Sequence, residues 1–536
     1  MRDATNEVDV ERDVKVPMPD GTTLLADIWH PVGVDNAPTI VERTPYGRLT
    51  LSTWDPSGQV LAERGYRFIL QAVRGTDGSE GAQSFFAERD DGRATADWIA
   101  AQPWFNGHLG TYGASYMGFS QWALASTDPP YLDAMVISLS SRRSSWYPGG
   151  ALALELMINW DLSALAFLHP ERGGFSQDIR PEGIEHQQRM LMTAFNHLPL
   201  GDALVHVAGE NHPLYEQQLA HPSMDDPHWA PFKFESFLDR WSVPTLLIDS
   251  WFDAPLPGVC EDFAALRAGG TPVAMRIGGG GHLDGGGDGA ADASLAWFDR
   301  YLRGDPSVDV GAPVVVHVQG EASQWREFPE WPPPASVPTR WYLHANGQLS
   351  TEAPTEVSPP DTYRYDPADP TPSLGGTGLM TGATVDNGPL EARADVLLYT
   401  TDALEAPMEF VGPVEAELVV SSTLDHTDFF VRVCDVHPDG HSFNICDALQ
   451  RFDPDTIERA TDGTFVARVS VWPIGHRFGA GHRIRVHVSS GAHPVYGRNL
   501  GTGDPPATAT AMRVADQAVY HDAERRSSIT LPLLAS

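Results

Sequence analysis

Residues 113–118, Gly-Ala-Ser-Tyr-Met-Gly, constrain this chain more than any other stretch. They follow a short run with strand character, His108 to Tyr112, and precede an apolar run with helix character, Phe119 to Ser126. A strand that passes into a helix through Gly-x-Ser-x-x-Gly bends very tightly, and the serine at the bend must take strained backbone angles. Gly113 and Ala114 before Ser115, and Gly118 three residues after it, leave room for that bend. Such a bend holds a hydroxyl clear of the sheet, above the free N–H groups of the helix that follows. The common pattern has glycine two residues after the serine; here Met117 stands in that place. An ordinary strand–helix turn with an incidental serine fits the motif equally well, so the rest of the chain has to decide.

The flanking sequence alternates in a way that suits such a bend. Val14 to Pro31 reads as a hairpin turning at Asp20-Gly21. Thr39 to Glu42 is a short buried strand that leads into Arg43-Thr44-Pro45-Tyr46-Gly47, and Arg67 to Val73 is another. Ala87 to Gln102 has helical spacing with Trp98 and Ile99 inward, and Ala134 to Ser138 is a further strand. Strands alternating with helices at this length predict an α/β fold on a parallel, doubly wound sheet. From Ser145 to Arg240 the strands stop, and helical runs predict a cap inserted above the sheet. Alternation resumes with strands at Val243 to Ser250 and Val273 to Ile277 and a closing helix at Trp297 to Leu302; the character changes after Gly304. Trp331-Pro332-Pro333-Pro334 reads as a linker. Beyond it, strand-like runs such as Ala416 to Val420, Phe429 to Val433, Phe465 to Val471 and Arg483 to Val488 predict a β-sandwich. At 536 residues one core is not enough. The expected division is an α/β domain in two parts, 1–144 and 241–330, a helical cap at 145–240, and the sandwich at 331–536.

In doubly wound hydrolases the catalytic groups sit at the C-terminal ends of strands, in chain order Ser, acid, His. This predicts an acid just after the strand ending near Ser250 and a histidine just after the strand ending near Ile277. Asp253 and His282 occupy those places. A serine hydroxyl must lose its proton to a base as it attacks; histidine can take that proton and return it to the leaving group, and a carboxylate fixes the imidazole. Asp249 borders the same strand but lies inside its apolar run, so it reads as structural. Asp284 and Asp288 read as solvent-facing. Gly278 to Gly281 is followed by no Gly-Lys-Ser/Thr, so it is not a phosphate cradle and reads as flexibility around His282. An oxyanion needs two donors: the N–H of Tyr116 is one, and the second is expected from the loop holding Tyr46. From the residues alone, Tyr46 reads first as a packed loop aromatic rather than as a donor.

Charge narrows the partners. With 36 basic against 71 acidic residues the formal charge is −35, which repels nucleic acid and anionic membrane surfaces. Cys260, Cys434 and Cys446 have no metal-ligand spacing, and no metal or other cofactor is expected. No apolar run reaches the length of a membrane span and Met1 to Val10 has no signal-peptide pattern; the three cysteines read as buried or idle thiols, and from them a cytoplasmic location is expected. A homo-oligomer is compatible with the sequence.

A longer set of segments resembles one family. Pro19-Asp20-Gly21-Thr22, Pro45-Tyr46, Arg74-Gly75 with Gly78-Ser79-Glu80-Gly81, and Asp97-Trp98 with Trp104 lie in the first half beside Gly-x-Ser-Tyr-x-Gly. Gly375-Gly376, Asp428-Phe429, Asp435-Val436 with Pro438-Asp439-Gly440, Gly481-His482-Arg483-Ile484-Arg485 and Ser489-Ser490-Gly491 lie in the second. In these the chain resembles the CocE/NonD (cocaine esterase-like) serine hydrolases, relatives of α-amino acid ester hydrolases and X-Pro dipeptidyl peptidases. The resemblance implies an α/β-hydrolase domain, a helical cap, and a C-terminal jelly roll closing one side of the active site. It implies a Ser115–Asp253–His282 triad with the Tyr46 hydroxyl and Tyr116 amide as oxyanion donors. The chain departs from the family pattern at Ala72, where an Asp is usual, in the glycines before His282, and at Ser250-Trp251-Phe252-Asp253.

The expected function is hydrolysis of small-molecule carboxylic esters, or amides, through an acyl-serine. The same site could serve an acyltransferase, an aminoacyl ester hydrolase or an X-Pro dipeptidyl peptidase, and a non-catalytic binding protein is the reading from another class. Relatives that accept aminoacyl groups carry acidic residues just after the triad acid and early in the cap. Here Ala254-Pro255-Leu256-Pro257-Gly258 and Ser144-Ser145-Trp146-Tyr147-Pro148 carry none. An uncharged apolar or aromatic acyl group is therefore expected, walled by Trp146, Trp160 and Phe252. Glu155 and Asp161 are the two carboxylates that could turn inward.

Overall fold

The computed structural model describes residues 2–143, 146–168, 181–234, 238 and 241–535. Ten strands form the first sheet: β1 (Val8–Pro17), β2 (Thr23–Pro31), β3 (Thr39–Thr44), β4 (Arg67–Ala72), β5 (Leu109–Ala114), β6 (Leu132–Ser138), β7 (Thr245–Ser250), β8 (Val273–Gly278), β9 (Val314–Gly320) and β10 (Gln324–Phe328). Their spatial order is β1-β2-β4-β3-β5-β6-β7-β8-β9-β10. The run from β4 to β9 is parallel; β1, β2 and β10 add antiparallel edges. Every residue of β3, β4 and β7 is buried, as a sheet covered on both faces requires.

Helices α1 (Arg48–Trp54), α2 (Ser57–Glu63), α3 (Glu88–Ala100) and α4 (Tyr116–Ala125) lie between the early strands. All ten residues of α4 are buried, so its largely apolar sequence, with Ser120 and Gln121 buried too, suits a core helix rather than an amphipathic one. Between β6 and β7 come α5 (Leu154–Leu168), α6 (Pro181–Asn196), α7 (Ala203–Ala208) and α8 (Pro213–Ala220), with no strand among the described residues there. Ser144, Ser145 and Arg240, which bound the expected cap, lie outside the described residues. Helices α9 (Leu256–Ala268) and α10 (Ala290–Tyr301) complete the α/β-hydrolase fold.

Strands β9 and β10 lie beyond Gly304, where the sequence no longer reads as sheet and helix in alternation. In β10 only Phe328 is buried, so no apolar period marks it. After it the chain forms a β-rich sandwich, built around the pairing of Met408–Ser422 with Phe465–Phe478. The sandwich is joined to the first sheet where His476 and Arg477 pair with Gln319 and Gly320 of β9. Trp251, at the end of β7, fixes the same junction. Its indole N–H donates to the His317 carbonyl at 2.6 Å, and its ring fills the space a side chain on Gly475 would need. The sandwich thereby sits over the C-terminal ends of β7 and β8.

Candidate active site

The loops after β3, β5, β7 and β8 converge at one place, and each carries one predicted residue: Tyr46, Ser115, Asp253 and His282. Ser115 has φ 57° and ψ −121°, the strained conformation a strand-to-helix bend imposes. Its neighbours explain how the bend fits. A Cβ on Gly113 would stand 2.4 Å from the Met117 Cβ, and one on Gly118 would stand 2.5 Å from the Ser140 Cβ. Glycine one place later than usual therefore serves the packing of α4 against the loop after β6.

Ser115 Oγ lies 3.0 Å from His282 Nε2. His282 Nδ1 lies 2.8 Å and 2.9 Å from the two oxygens of Asp253, which is fully buried. The carboxylate only accepts, so Nδ1 carries the proton and Nε2 is free to accept from the serine hydroxyl. Burial alone would lower the His282 pKa. The charge and hydrogen bond of Asp253, helped by the charge of Glu155, outweigh it and hold the imidazole above its ordinary value of 6.5. Asp253 is fixed in a tight turn, its N–H donating to the Ser250 carbonyl at 3.2 Å. Trp472, reaching from the sandwich, donates its indole N–H to the Asp253 carbonyl at 3.2 Å.

The glycines before His282 serve close packing, not flexibility. A Cβ on Gly278 would meet the Gly286 backbone at 2.5 Å, one on Gly279 the His317 ring at 2.7 Å, and one on Gly281 the Gly382 carbonyl at 2.6 Å. At Gly280 it would meet the Asp284 carboxylate, whose Oδ2 accepts the Gly281 N–H at 2.7 Å and closes the loop. Asp284 and Asp288 are otherwise solvent-facing.

The Tyr46 hydroxyl is in hydrogen-bonding contact with Ser115, the Tyr116 backbone N–H and the Trp160 side chain. Burial pushes its pKa up against those contacts, so the phenol keeps its proton and remains a donor. The Tyr116 ring points away: its hydroxyl donates to Glu88 at 2.7 Å, and Arg43 holds the other Glu88 oxygen at 2.6 Å. This anchors the first turn of α4 and aims the Tyr116 N–H at the space beside Ser115 Oγ.

A cavity of about 620 Å³ opens over Ser115 and His282. Trp146 and Trp160 line it, with Phe85, Phe119 and Phe232. Phe252 does not. It is fully buried in the core, with its backbone N–H on the Gly280 carbonyl, so it shapes the loop beneath the cavity instead of the wall. The sandwich supplies a side of the cavity through Gly378, Leu379, Trp472 and Tyr496, contacts that no local sequence signal foretells. Glu155 reaches the wall, but its carboxylate accepts the N–H groups of Leu379 at 2.8 Å and Met380 at 3.0 Å and the Asn159 amide at 3.2 Å. It latches the sandwich segment to α5. Asp161 turns away to His212 at 2.6 Å, and burial pushes its pKa up to about 6. At the rim, Lys233 pairs with Asp225 at 3.4 Å and Arg143 with Glu261 at 3.5 Å.

Two groups among the described residues bring three metal-ligating atoms within 4.8 Å of one another: Glu391–Cys434–His487 and Asp435–His437–His482. Both lie in the sandwich, away from the cavity lining. Each is satisfied as a hydrogen-bonded group, since Arg485 pairs with Glu391 and the imidazoles of His476 and His482 donate to Asp435.

The matches to known proteins cover both halves. A sequence model of the X-Pro dipeptidyl-peptidase S15 family matches residues 20–284, and one of the X-Pro dipeptidyl-peptidase C-terminal non-catalytic domain matches residues 307–530. Cocaine esterase of Rhodococcus sp. (strain MB1 Bresler) is 31% identical, over 98% of each chain. An α-amino acid ester hydrolase structure superimposes with a TM-score of 0.83 at 24% identity, covering 99% of this chain and 98% of its own. An aminopeptidase from a marine sediment Thaumarchaeota archaeon does so with a TM-score of 0.82 at 24% identity, covering 99% and 97%. No helix among the described residues is long and apolar enough to cross a membrane. With the α/β-hydrolase sheet and the C-terminal β-rich domain in place, the full-length match shows that the chain is an enzyme of the cocaine esterase-like (CocE/NonD) serine hydrolase family.

Proposed function

We propose that the enzyme hydrolyses carboxylic esters with an uncharged apolar or aromatic acyl group, and amides of the same acyl groups, through an acyl-Ser115 intermediate. The observation that carries this reading is the unbroken line Ser115 Oγ–His282 Nε2, 3.0 Å, and His282 Nδ1–Asp253, 2.8 Å, at the floor of an aromatic cavity. As Ser115 Oγ attacks the acyl carbon, its proton passes to His282 Nε2, and Asp253 stabilises the imidazolium. The carbonyl oxygen gains charge beside the Tyr116 N–H and the Tyr46 hydroxyl, which act as its donors. His282 then returns the proton to the departing alcohol or amine. Water repeats the sequence on the acyl-serine, its proton going to His282 and then to Ser115 Oγ as the acid leaves.

The acyl preference rests on charge. The inward-facing Glu155 is occupied by three hydrogen bonds, Asp161 faces His212, and the rim carboxylates are paired with Arg143 and Lys233. A substrate ammonium would find no carboxylate without a partner among these four. Trp146 and Trp160 offer apolar faces instead. In this reading residues 145–240 act as the cap and 331–536 as the domain that closes the cleft, with the division at 144, 240 and 330; the substrate is a small molecule and the setting the cytoplasm. The test is kcat/KM for an aryl or alkanoyl ester against its α-amino counterpart. The uncharged ester is expected to be the faster substrate; a faster aminoacyl ester overturns the preference and points to Glu155 as its anchor.

A further inference from the structure

Asp249, at the end of β7, stands directly behind the candidate triad. The turn that carries Asp253 folds back on the strand, with the Asp253 N–H on the Ser250 carbonyl, and it brings the two aspartate side chains into hydrogen-bonding contact. Both residues are fully buried. The four oxygens have few donors around them. Both oxygens of Asp253 take the His282 Nδ1–H, at 2.8 Å and 2.9 Å. Asp249 Oδ1 takes the Ser250 N–H at 2.7 Å, and Asp249 Oδ2 has no donor among the described residues. A buried carboxylate oxygen without a donor, in contact with a second carboxylate, is a costly arrangement unless a proton lies between the two.

We propose that Asp249 is a neutral carboxylic acid that donates its Oδ2 proton to Asp253, acting as a positioning residue behind the Ser115–His282–Asp253 line. The inference rests on the triad reading above and extends it by one group. The proton belongs on Asp249 because Asp253 faces an imidazole that becomes cationic during turnover, whereas Asp249 faces no cation among the described residues. The charge count behind Ser115 is then one carboxylate, one acid and one neutral imidazole. Burial, followed by the charge and the hydrogen bond of Asp253, pushes the Asp249 pKa well above its ordinary value, in agreement with this assignment. The titratable groups around the pair are Cys260 of α9, on the Asp249 side, and His282 with Glu155 of α5, on the Asp253 side. None of them supplies a positive charge to Asp249 while His282 is neutral. The consequence for the reaction is that the Asp253 charge is shared with the Asp249 hydroxyl, which keeps the His282 pKa from rising further and leaves the imidazole neutral over a wider pH range.

Two measurements on the full chain test this. The first uses Ser115→Ala protein without substrate and reads the infrared carbonyl band of a protonated carboxylic acid. Subtracting the spectrum of Ser115→Ala/Asp249→Asn isolates Asp249 from the other buried carboxyls. A band present at neutral pH and lost in the double variant is expected; no difference band overturns the proposal, whatever the activity of the enzyme. The second compares pH profiles of kcat/KM. Asn also donates to Asp253, so Asp249→Asn should leave the acidic limb where it is in the wild type. Asp249→Ala removes the donor and should move that limb to higher pH with a fall in kcat. If Asp249 is instead ionised, both variants remove a negative charge and move the limb to lower pH, which overturns the assignment. Should Asp249→Ala fail to fold, Asp249→Asn still separates the two outcomes. Wild-type protein inert toward esters and toward a fluorophosphonate would refute the triad reading and leave the infrared result standing by itself.

Discussion

Replacing Tyr46 by Phe removes one oxygen and little else. The ring keeps its edge contacts, with centroids 6.5 Å from Tyr116 and 5.4 Å from Phe167, so the loop after β3 should hold its shape. What is lost is the hydroxyl in contact with Ser115 and the Tyr116 N–H, one of two donors at the place where the carbonyl oxygen would gain charge. Removing one such donor elsewhere costs about 2.7–4 kcal/mol of transition-state stabilisation. At about 1.4 kcal/mol per tenfold, kcat should fall by about 10²–10³. The ground-state carbonyl carries little charge, so KM should stay within about threefold of wild type. The Trp160 side chain loses a partner as well, which should cost about 1 kcal/mol of stability and appear as a small drop in Tm. Steady-state hydrolysis of a p-nitrophenyl ester, with a thermal melt on the same preparation, measures all three. An unchanged kcat with a raised KM would refute the reasoning, because Tyr46 would then bind substrate and the second donor would lie elsewhere.

Other perturbations follow from the same geometry. Ser115→Ala should lose on the order of 10⁴-fold or more of kcat while folding normally, since the bend is set by Gly113 and Gly118 rather than by the hydroxyl. His282 must be neutral to act as a base and its pKa is raised, so kcat/KM should climb with pH through a midpoint above the ordinary 6.5. Glu155→Gln removes a charge that raises that pKa, so the acidic limb should move to lower pH; a shift upward would contradict the assignment of causes. Gly280→Ala puts a Cβ onto the Asp284 carboxylate that closes the His282 loop, and a displacement of about 1 Å there should cost about 100-fold in kcat.

Much of this site is readable from local sequence, and the failures have physical causes. Strand-then-helix character around Gly113 to Gly118 fixes a bend, and chain order after β7 and β8 picks Asp253 and His282 out of many acids and histidines. Those are signals carried within about ten residues of each position. The glycines before His282 carry no local sign of their role, because what they avoid lies elsewhere in the chain: Gly279 abuts His317 and Gly281 abuts Gly382. Phe252 follows Trp251 at the end of β7, and nothing local says that the ring sinks into the core while the loop above it opens to the cavity. Asp249 reads as structural from its apolar surroundings, yet its carboxyl meets Asp253 because the chain turns back within four residues. The latch between Glu155 and the N–H groups of Leu379 and Met380 joins segments more than 200 residues apart, and the Trp472 contact with Asp253 is of the same kind.

The central claim is that Ser115 is the group that takes the acyl chain. The direct measurement is reaction of the protein with a fluorophosphonate, followed by digestion and mass mapping of the adduct, alongside ester hydrolysis by wild type and Ser115→Ala. The account predicts one phosphonyl group per chain, on the peptide that contains Ser115, with hydrolysis lost in step with labelling and no adduct on the alanine variant. An adduct on another residue, or hydrolysis that persists in Ser115→Ala at a tenth of the wild-type rate, would contradict it.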